Sequence, residues 1–270
     1  MQSMHVQMRD GFCVPIFLYR CPNPSASTLL LLHGITAEQR HLQKLATQLQ
    51  TEMNVVVPIL RGYEEGERRG DIAYNGQYDD DLLDLQDFLD KQLETKYLYW
   101  AGHSMGCANV LRMILNKTID GDGVVFISPF FHPALPLYRI GRKTAGEENK
   151  LYRVNVLKLI WLTLCSKAGI RTWEHSKVLK VPDEFSAKTI ELSYRLFTSR
   201  FSKQLKHTSI DIPILSVIGS NDEVTHPERL TKWWGKFAAQ TCEIIPEEDH
   251  NTILFSPHTV ERIRKWVQRN

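Results

Sequence analysis

The stretch Y-L-Y-W-A-G-H-S-M-G, residues 97–106, runs straight into C-A-N-V-L-R-M-I-L, residues 107–115. Residues 97–101 are apolar strand formers, whereas the residues after 106 place their apolar side chains at helical spacing. The stretch therefore reads as strand, sharp turn and helix, with Ser104 at the apex of the turn. Such a turn strains the backbone at the serine. It closes only if the residues two before and two after are small, and Gly102 and Gly106 meet that condition. Ser104 then stands at a helix N-terminus, where the next amide, that of Met105, faces a developing oxyanion.

Outward from this turn, the chain alternates strands with helices. Residues 3–20 read as two strands around Asp10-Gly11, with Pro15 pointing to an edge position. T-L-L-L-L (28–32) has no polar alternation and reads as a strand buried on both faces, ending at His33-Gly34-Ile35. Residues 37–50 form an amphipathic helix with Leu42, Leu45, Ala46 and Leu49 on one face, followed by a buried strand in V-V-V-P-I-L (55–60). Residues 82–93 are helical, with Leu82, Leu85, Leu89 and Leu93 inward and Asp80, Asp84, Asp87 and Asp90 outward, a solvated acidic face near a helix N-terminus. After the Ser104 turn, G-V-V-F-I-S (123–128) is the next strand. From residue 130 to about 209 the rhythm stops, and two helices are expected, over 151–165 and 187–201. It resumes with a strand at 212–219, a helix at 227–239, a strand at 241–245 and a helix at 257–268. The whole is an α/β pattern, a mostly parallel doubly wound sheet flanked by helices.

Composition narrows the setting. With 270 residues and 43% hydrophobic content, the chain can bury a large single core. Five scattered cysteines without C-x-x-C spacing point to a reducing, cytoplasmic compartment and away from a disulfide frame or a zinc site. The first residues lack a basic end followed by an apolar run, so no secretory signal is expected. The longest apolar stretch, 154–165, is too short to span a bilayer. A basic reading motif for nucleic acid is absent.

The Ser104 turn with its flanking strand and helix, the H-G-I turn at 33–35 and the segment G-D-I-A-Y-N-G-Q-Y-D-D-D-L-L-D-L (70–85) together resemble the α/β-hydrolase superfamily. The closest group is that of monoacylglycerol lipases, lysophospholipases and serine aminopeptidases. The resemblance implies an α/β-hydrolase core over 1–128 and 210–270. It also implies a helical cap, or lid, inserted at 129–209. The amide of Ile35 is implied as a second oxyanion donor beside that of Met105. The order serine, acid, histidine places the acid after one late strand and the histidine after the last. Asp222 in G-S-N-D-E-V-T and His250 in P-E-E-D-H-N-T occupy those places. A serine hydroxyl needs such a neutral imidazole, and a carboxylate to hold its tautomer.

Other residues compete less well. Glu223 adjoins Asp222 but is offset from the motif acid, and Asp211 precedes its strand. Asp249 neighbours His250, and adjacent side chains in a loop seldom converge on one ring. His226 and His258 open helices, His207 lies at the margin of the insert, and His33 and His103 read as structural or pocket-tuning. The resulting expectation is a serine esterase or lipase, a carboxylic ester hydrolase with Ser104, Asp222 and His250 as its triad and no metal or organic cofactor. Its substrate class is a monoacylglycerol, lysophospholipid or similar acyl ester. A serine aminopeptidase is the alternative; it needs an acidic group for a free amine, with Glu147, Glu148, Glu174 and Glu184 as candidates. A non-hydrolytic ligand-binding protein on the same fold is the third class. Residues 129–209 hold 15 Lys/Arg against 6 Asp/Glu, a net +9, and the remainder holds 18 against 25, a net −7. A basic lid over an acidic body, with L-K-L-I-W-L-T-L within it, is expected to allow peripheral contact with an anionic membrane.

Overall fold

The computed structural model describes residues 1–37, 39–64, 69–93, 96–139, 153–182, 189–203, 210–236 and 242–270. The expected helix end near 239, His207, Glu147, Glu148 and Glu184 fall outside them. Eight strands form one sheet in the spatial order β1 (Gln2–Gln7), β2 (Cys13–Tyr19), β4 (Asn54–Pro58), β3 (Thr28–Leu32), β5 (Leu98–His103), β6 (Gly123–Ile127), β10 (Ile214–Gly219) and β11 (Cys242–Ile245). The β1/β2 and β2/β4 pairs are antiparallel and every other pair is parallel.

The inner parallel strands are buried on both faces, and their alternate residues feed two cores, while Ile244 on the edge strand β11 is exposed. Leu30, Leu32, Trp100, Val124 and Phe126 face α2 (Gln77–Gln92), α3 (Gly106–Asn116) and α6 (Pro227–Trp234). Leu29, Leu31, Tyr99, Val125 and Ile127 face α1 (Gln39–Leu49) and α7 (Pro257–Val267). This double burial is why the strands carry no polar alternation. Strand β2 is not at the edge that Pro15 suggested, because β1 covers it. Pro15 lies just past the last β2/β4 pair, and its carbonyl accepts the N–H of Ile59 at 2.9 Å. Its missing donor therefore falls at the end of a ladder, where it removes the least.

The insert differs from the helical expectation. Alongside α4 (Val156–Lys167) and α5 (Tyr194–Ser199), it contains a three-stranded antiparallel sheet of β7 (Arg153–Val154), β8 (Lys177–Pro182) and β9 (Thr189–Ser193). Arg153 and Val154, expected in the first helix, pair with Lys180 and Leu179; the helix starts only after Asn155, whose Oδ1 accepts the N–H of Lys158 at 3.1 Å. In T-I-E-L-S, Ile190 and Leu192 are buried while Thr189 and Glu191 are exposed, the period of a strand rather than a helix. Ser193 then ends the strand and caps α5 by accepting the N–H of Leu196 at 3.0 Å.

The 70–85 motif ties this insert to the body. Gly70, at φ +78°, packs so closely that a Cβ there would lie 1.9 Å from the Glu191 carbonyl oxygen. Asp71 accepts hydrogen bonds from the Ser193 hydroxyl and from Arg195. Gln77 links the same loop to the β1/β2 turn through the N–H of Ala73 and the carboxylate of Asp10.

The acidic start of α2 is only partly a solvated face. Asp87 and Asp90 are exposed as expected, but Asp80 and Asp84 pair with Arg9, and Asp79 with Arg112. Asp81 is buried and takes Arg61 Nε and Nη2 at 2.8 and 2.6 Å, with Arg61 itself only 3% exposed. The Tyr78 hydroxyl donates to the Arg61 carbonyl at 2.7 Å. Removing one partner of such a pair strands the other charge away from water, while Asp10 still reaches Arg61. Asp81→Ala is therefore expected to lower the unfolding free energy by about 3 kcal/mol, read as a shift in the urea midpoint at constant slope.

Candidate active site

Ser104 sits between β5 and α3 with φ +52°, a left-handed conformation that a side-chain-bearing residue adopts only under constraint. The constraint is packing. A Cβ on Gly102 would lie 2.5 Å from the Cys107 nitrogen, and one on Gly106 would lie 2.4 Å from the Leu32 carbonyl oxygen. The strained peptide is held by hydrogen bonds from Ser104 N–H to Ile127 O at 3.0 Å and from Phe130 N–H to Ser104 O at 3.0 Å. Cys107, one turn in, is buried, its thiol pushed up by burial and donating to the Gly102 carbonyl at 3.0 Å, which makes it inert packing.

Asp222 follows β10 and His250 follows β11, so both loops open at the carboxyl end of the sheet beside Ser104. His250 Nε2 lies 2.8 Å from Ser104 Oγ, and His250 Nδ1 lies 2.9 Å from Asp222 Oδ2. Asp222 Oδ1 also accepts the N–H groups of Val224 and Thr225 at 2.9 and 2.7 Å. Burial alone would push the Asp222 carboxyl up. The facing His250 charge and hydrogen bond, helped by the Thr225 N–H, outweigh it and hold the group below the usual carboxylate range. An ionised Asp222 only accepts, so the His250 proton sits on Nδ1, leaving Nε2 to accept from the Ser104 hydroxyl.

The backbone of His250 is fixed from two sides. His103 Nε2 donates to the His250 carbonyl at 2.8 Å, and the Glu223 carboxylate accepts the His250 N–H at 3.1 Å. His33 acts in the same way on the opposite loop. It accepts the Leu60 N–H at Nε2, 3.0 Å, which leaves the proton on Nδ1 to donate to the Gly34 carbonyl at 2.8 Å. The Gly34 carbonyl and the Ile35 N–H belong to one trans peptide plane, so holding the first aims the second the opposite way. Ile35 and Met105 both line the cavity in front of Ser104, and neither N–H donates a hydrogen bond among the described residues.

The competing residues have other work. Glu223 faces the His250 backbone rather than its ring, and Asp249 accepts the N–H groups of Asn251 and Thr252, shaping the loop. Asp211 is exposed before β10, His226 precedes α6, and His258 is exposed on α7. Glu174 is buried against the Ser166 hydroxyl and the Asn75 amide, away from the cavity.

The cavity in front of Ser104 encloses about 250 Å³. Ile35, Met105 and Val224 wall it from the body, and Phe130, Val154, Leu159, Leu179 and Phe197 wall it from the insert. Its one acidic side chain among the described residues is Glu223, and Thr36 and Asn251 are its neutral polar ones. The only local mark of Glu223 is its place beside Asp222. Nothing local marks Val154, Leu159 or Leu179, whose place depends on the insert folding back.

A family model described as serine aminopeptidase, S33, matches residues 23–254. No curated protein sequence matches the chain. Among solved structures, a soluble variant of monoglyceride lipase from Saccharomyces cerevisiae superposes with a TM-score of 0.69 at 16% identity, covering 99% of this chain and 94% of that one. A thermophilic esterase from Thermogutta terrifontis gives 0.66 at 19% identity, covering 100% and 99%. A putative aryl esterase from Burkholderia cenocepacia gives 0.66 at 15% identity, covering 99% and 98%. At these identities the likeness is one of fold, and the match over 23–254 supplies the rest: the chain is an α/β-hydrolase and belongs to the serine aminopeptidase S33 family.

Proposed function

We propose that the protein is a serine hydrolase that cleaves carboxylic esters through an acyl-enzyme on Ser104. The observation that carries this reading is the relay from Asp222 through His250 to Ser104, at 2.9 and 2.8 Å, opening into an apolar cavity. His250 takes the hydroxyl proton as Ser104 Oγ attacks the carbonyl carbon, and Asp222 stabilises the imidazolium. The N–H groups of Ile35 and Met105 bind the oxyanion, each worth on the order of 3 kcal/mol in the barrier. His250 returns the proton to the leaving alcohol, and water deacylates the serine by the same relay in reverse.

The cavity suits an acyl group. At about 30 Å³ per water-sized unit its volume holds roughly eight heavy atoms, and among the described residues its walls hold no Lys or Arg for a charged acyl substituent. A monoacylglycerol, lysophospholipid or similar acyl ester presents that combination of apolar tail and reactive carbonyl. The insert that closes the cavity acts in this reading as a cap.

The family's description favours a second reading, an aminopeptidase, and one observation supports it. Glu223 lies in the cavity wall beside His250, where a carboxylate is able to hold a free amine. The largely apolar walls favour the ester.

Wild-type protein is expected to hydrolyse nitrophenyl esters best at acyl chains of about four to eight carbons. A fluorophosphonate probe is expected to label Ser104. Ser104→Ala should abolish labelling and lower kcat/KM by at least about 10⁴-fold. Undiminished labelling of Ser104→Ala ends the proposal, and preference for an aminoacyl anilide over the esters replaces it with the second reading. Glu223→Gln keeps an acceptor for the His250 N–H while removing the charge. The ester reading expects it to alter ester and anilide turnover by the same factor; an amine held by Glu223 expects KM for the anilide alone to rise at least about tenfold.

A further inference from the structure

Eleven large hydrophobic residues are exposed among the described residues, and eight of them fall within residues 154–173. On α4 the outward residues Leu157, Ile160, Trp161 and Leu164 follow the i, i+3, i+4, i+7 spacing of one helix face, with Leu157 81% and Leu164 61% exposed. Ile170 and Trp173 extend the stripe, and the Trp161 and Trp173 rings lie 5.1 Å apart. The opposite face of the same helix is the one that packs: Leu162 is buried and Leu159 lines the cavity in front of Ser104. A helix whose inward side is already satisfied, yet whose outward side remains apolar, has surface left for a partner.

The charge around the stripe says what kind. Between residues 153 and 180 there are six Lys/Arg and one acid, Glu174. Glu174 is buried and hydrogen-bonded to Ser166 and Asn75. The solvent-facing charges here are therefore cationic, with Arg153, Lys167, Arg171 and Lys180 all exposed. A second copy of this face would set cations against cations. Lys180 is also shared with the exposed Glu191, 3.8 Å away, but Arg153, Lys167 and Arg171 remain exposed beside the stripe. An apolar stripe that carries paired tryptophans and is flanked mainly by cations instead matches the boundary between acyl chains and acidic headgroups.

We propose that the outward face of α4, with Ile170 and Trp173, is a docking surface for an anionic lipid bilayer. The stripe enters the headgroup–acyl boundary, Arg153, Lys167 and Arg171 meet acidic headgroups, and the net-acidic body is turned away. Because Leu159 and Val154 belong to the same unit and wall the cavity, docking brings the mouth of the site to the bilayer. No helix among the described residues is long and apolar enough to cross a membrane, so the contact is peripheral.

The test is co-sedimentation of the full chain with vesicles of phosphatidylcholine alone or with about a third phosphatidylserine. Ser104→Ala protein serves equally well, so the outcome is independent of the hydrolase reading. Binding is expected to the anionic vesicles at low salt, and to fall at least about tenfold on neutral vesicles or in high salt. The double variants Leu157→Ser/Leu164→Ser and Lys167→Glu/Arg171→Glu should each lower it about tenfold or more while melting at the wild-type temperature. Absence of wild-type binding, equal binding to neutral and anionic vesicles, or unchanged binding by both folded variants overturns the proposal. So does a solution dimer that Leu157→Ser/Leu164→Ser dissociates, which would assign the face to a second copy.

Discussion

The approach of the α3 N-terminus to the ends of β3 and β5 is the constraint on which the site rests. There is no room for a side chain at Gly102 or Gly106, so three backbone segments lie in direct contact. That contact forces Ser104 into a left-handed conformation, at a cost of about 1–3 kcal/mol that is offset by the hydrogen bonds to Ile127 and from Phe130. It also fixes the spacing between the loop bearing Ile35 and the turn bearing Met105. The two amides and the hydroxyl are thus positioned by main-chain packing, which does not relax as a flexible side chain would.

Around this centre, histidines work as backbone clamps. His33 joins the Gly34 peptide to the Leu60 amide at the end of β4, and His103 joins β5 to the loop that carries His250. Each spans two elements that are distant in sequence, and each is buried. His250 is consequently held at both side chain and main chain, which leaves its imidazole little freedom to move.

Much of this was legible in the sequence because the decisive signals are local. Uninterrupted apolar runs such as 28–32 identify strands covered on both faces, and a serine between two glycines identifies the turn. Asp222 and His250, candidates from the chain order that the family resemblance implies, lie with Ser104 in one hydrogen-bonded chain. The strands of the insert escape a local reading because they are short and are strands only when paired: Val154 needs Leu179, distant in the chain, and Ile190 needs Val181 across the short connection between β8 and β9. The same is true of Asp81, whose acidic neighbours suggested a wet helix face; only the fold brings Arg61 against it. Where a residue's role is set by a partner many residues away, composition and periodicity carry no trace of it.

The bonds from Asp71 to Ser193 and Arg195 bear on the order in which the chain assembles. They join residues 122 and 124 positions apart, so closing them early would cost much chain entropy. The β3, β5 and β6 contacts that shape the Ser104 turn span much shorter loops. Folding by way of the shorter loops builds the Ser104 turn first and lays the insert over it afterwards. During synthesis that turn would form before the insert packs against it, and β10 and β11, which bring Asp222 and His250, emerge only after the insert. The contacts of His250 with Ser104 and Asp222 are therefore incomplete until the last quarter of the chain arrives.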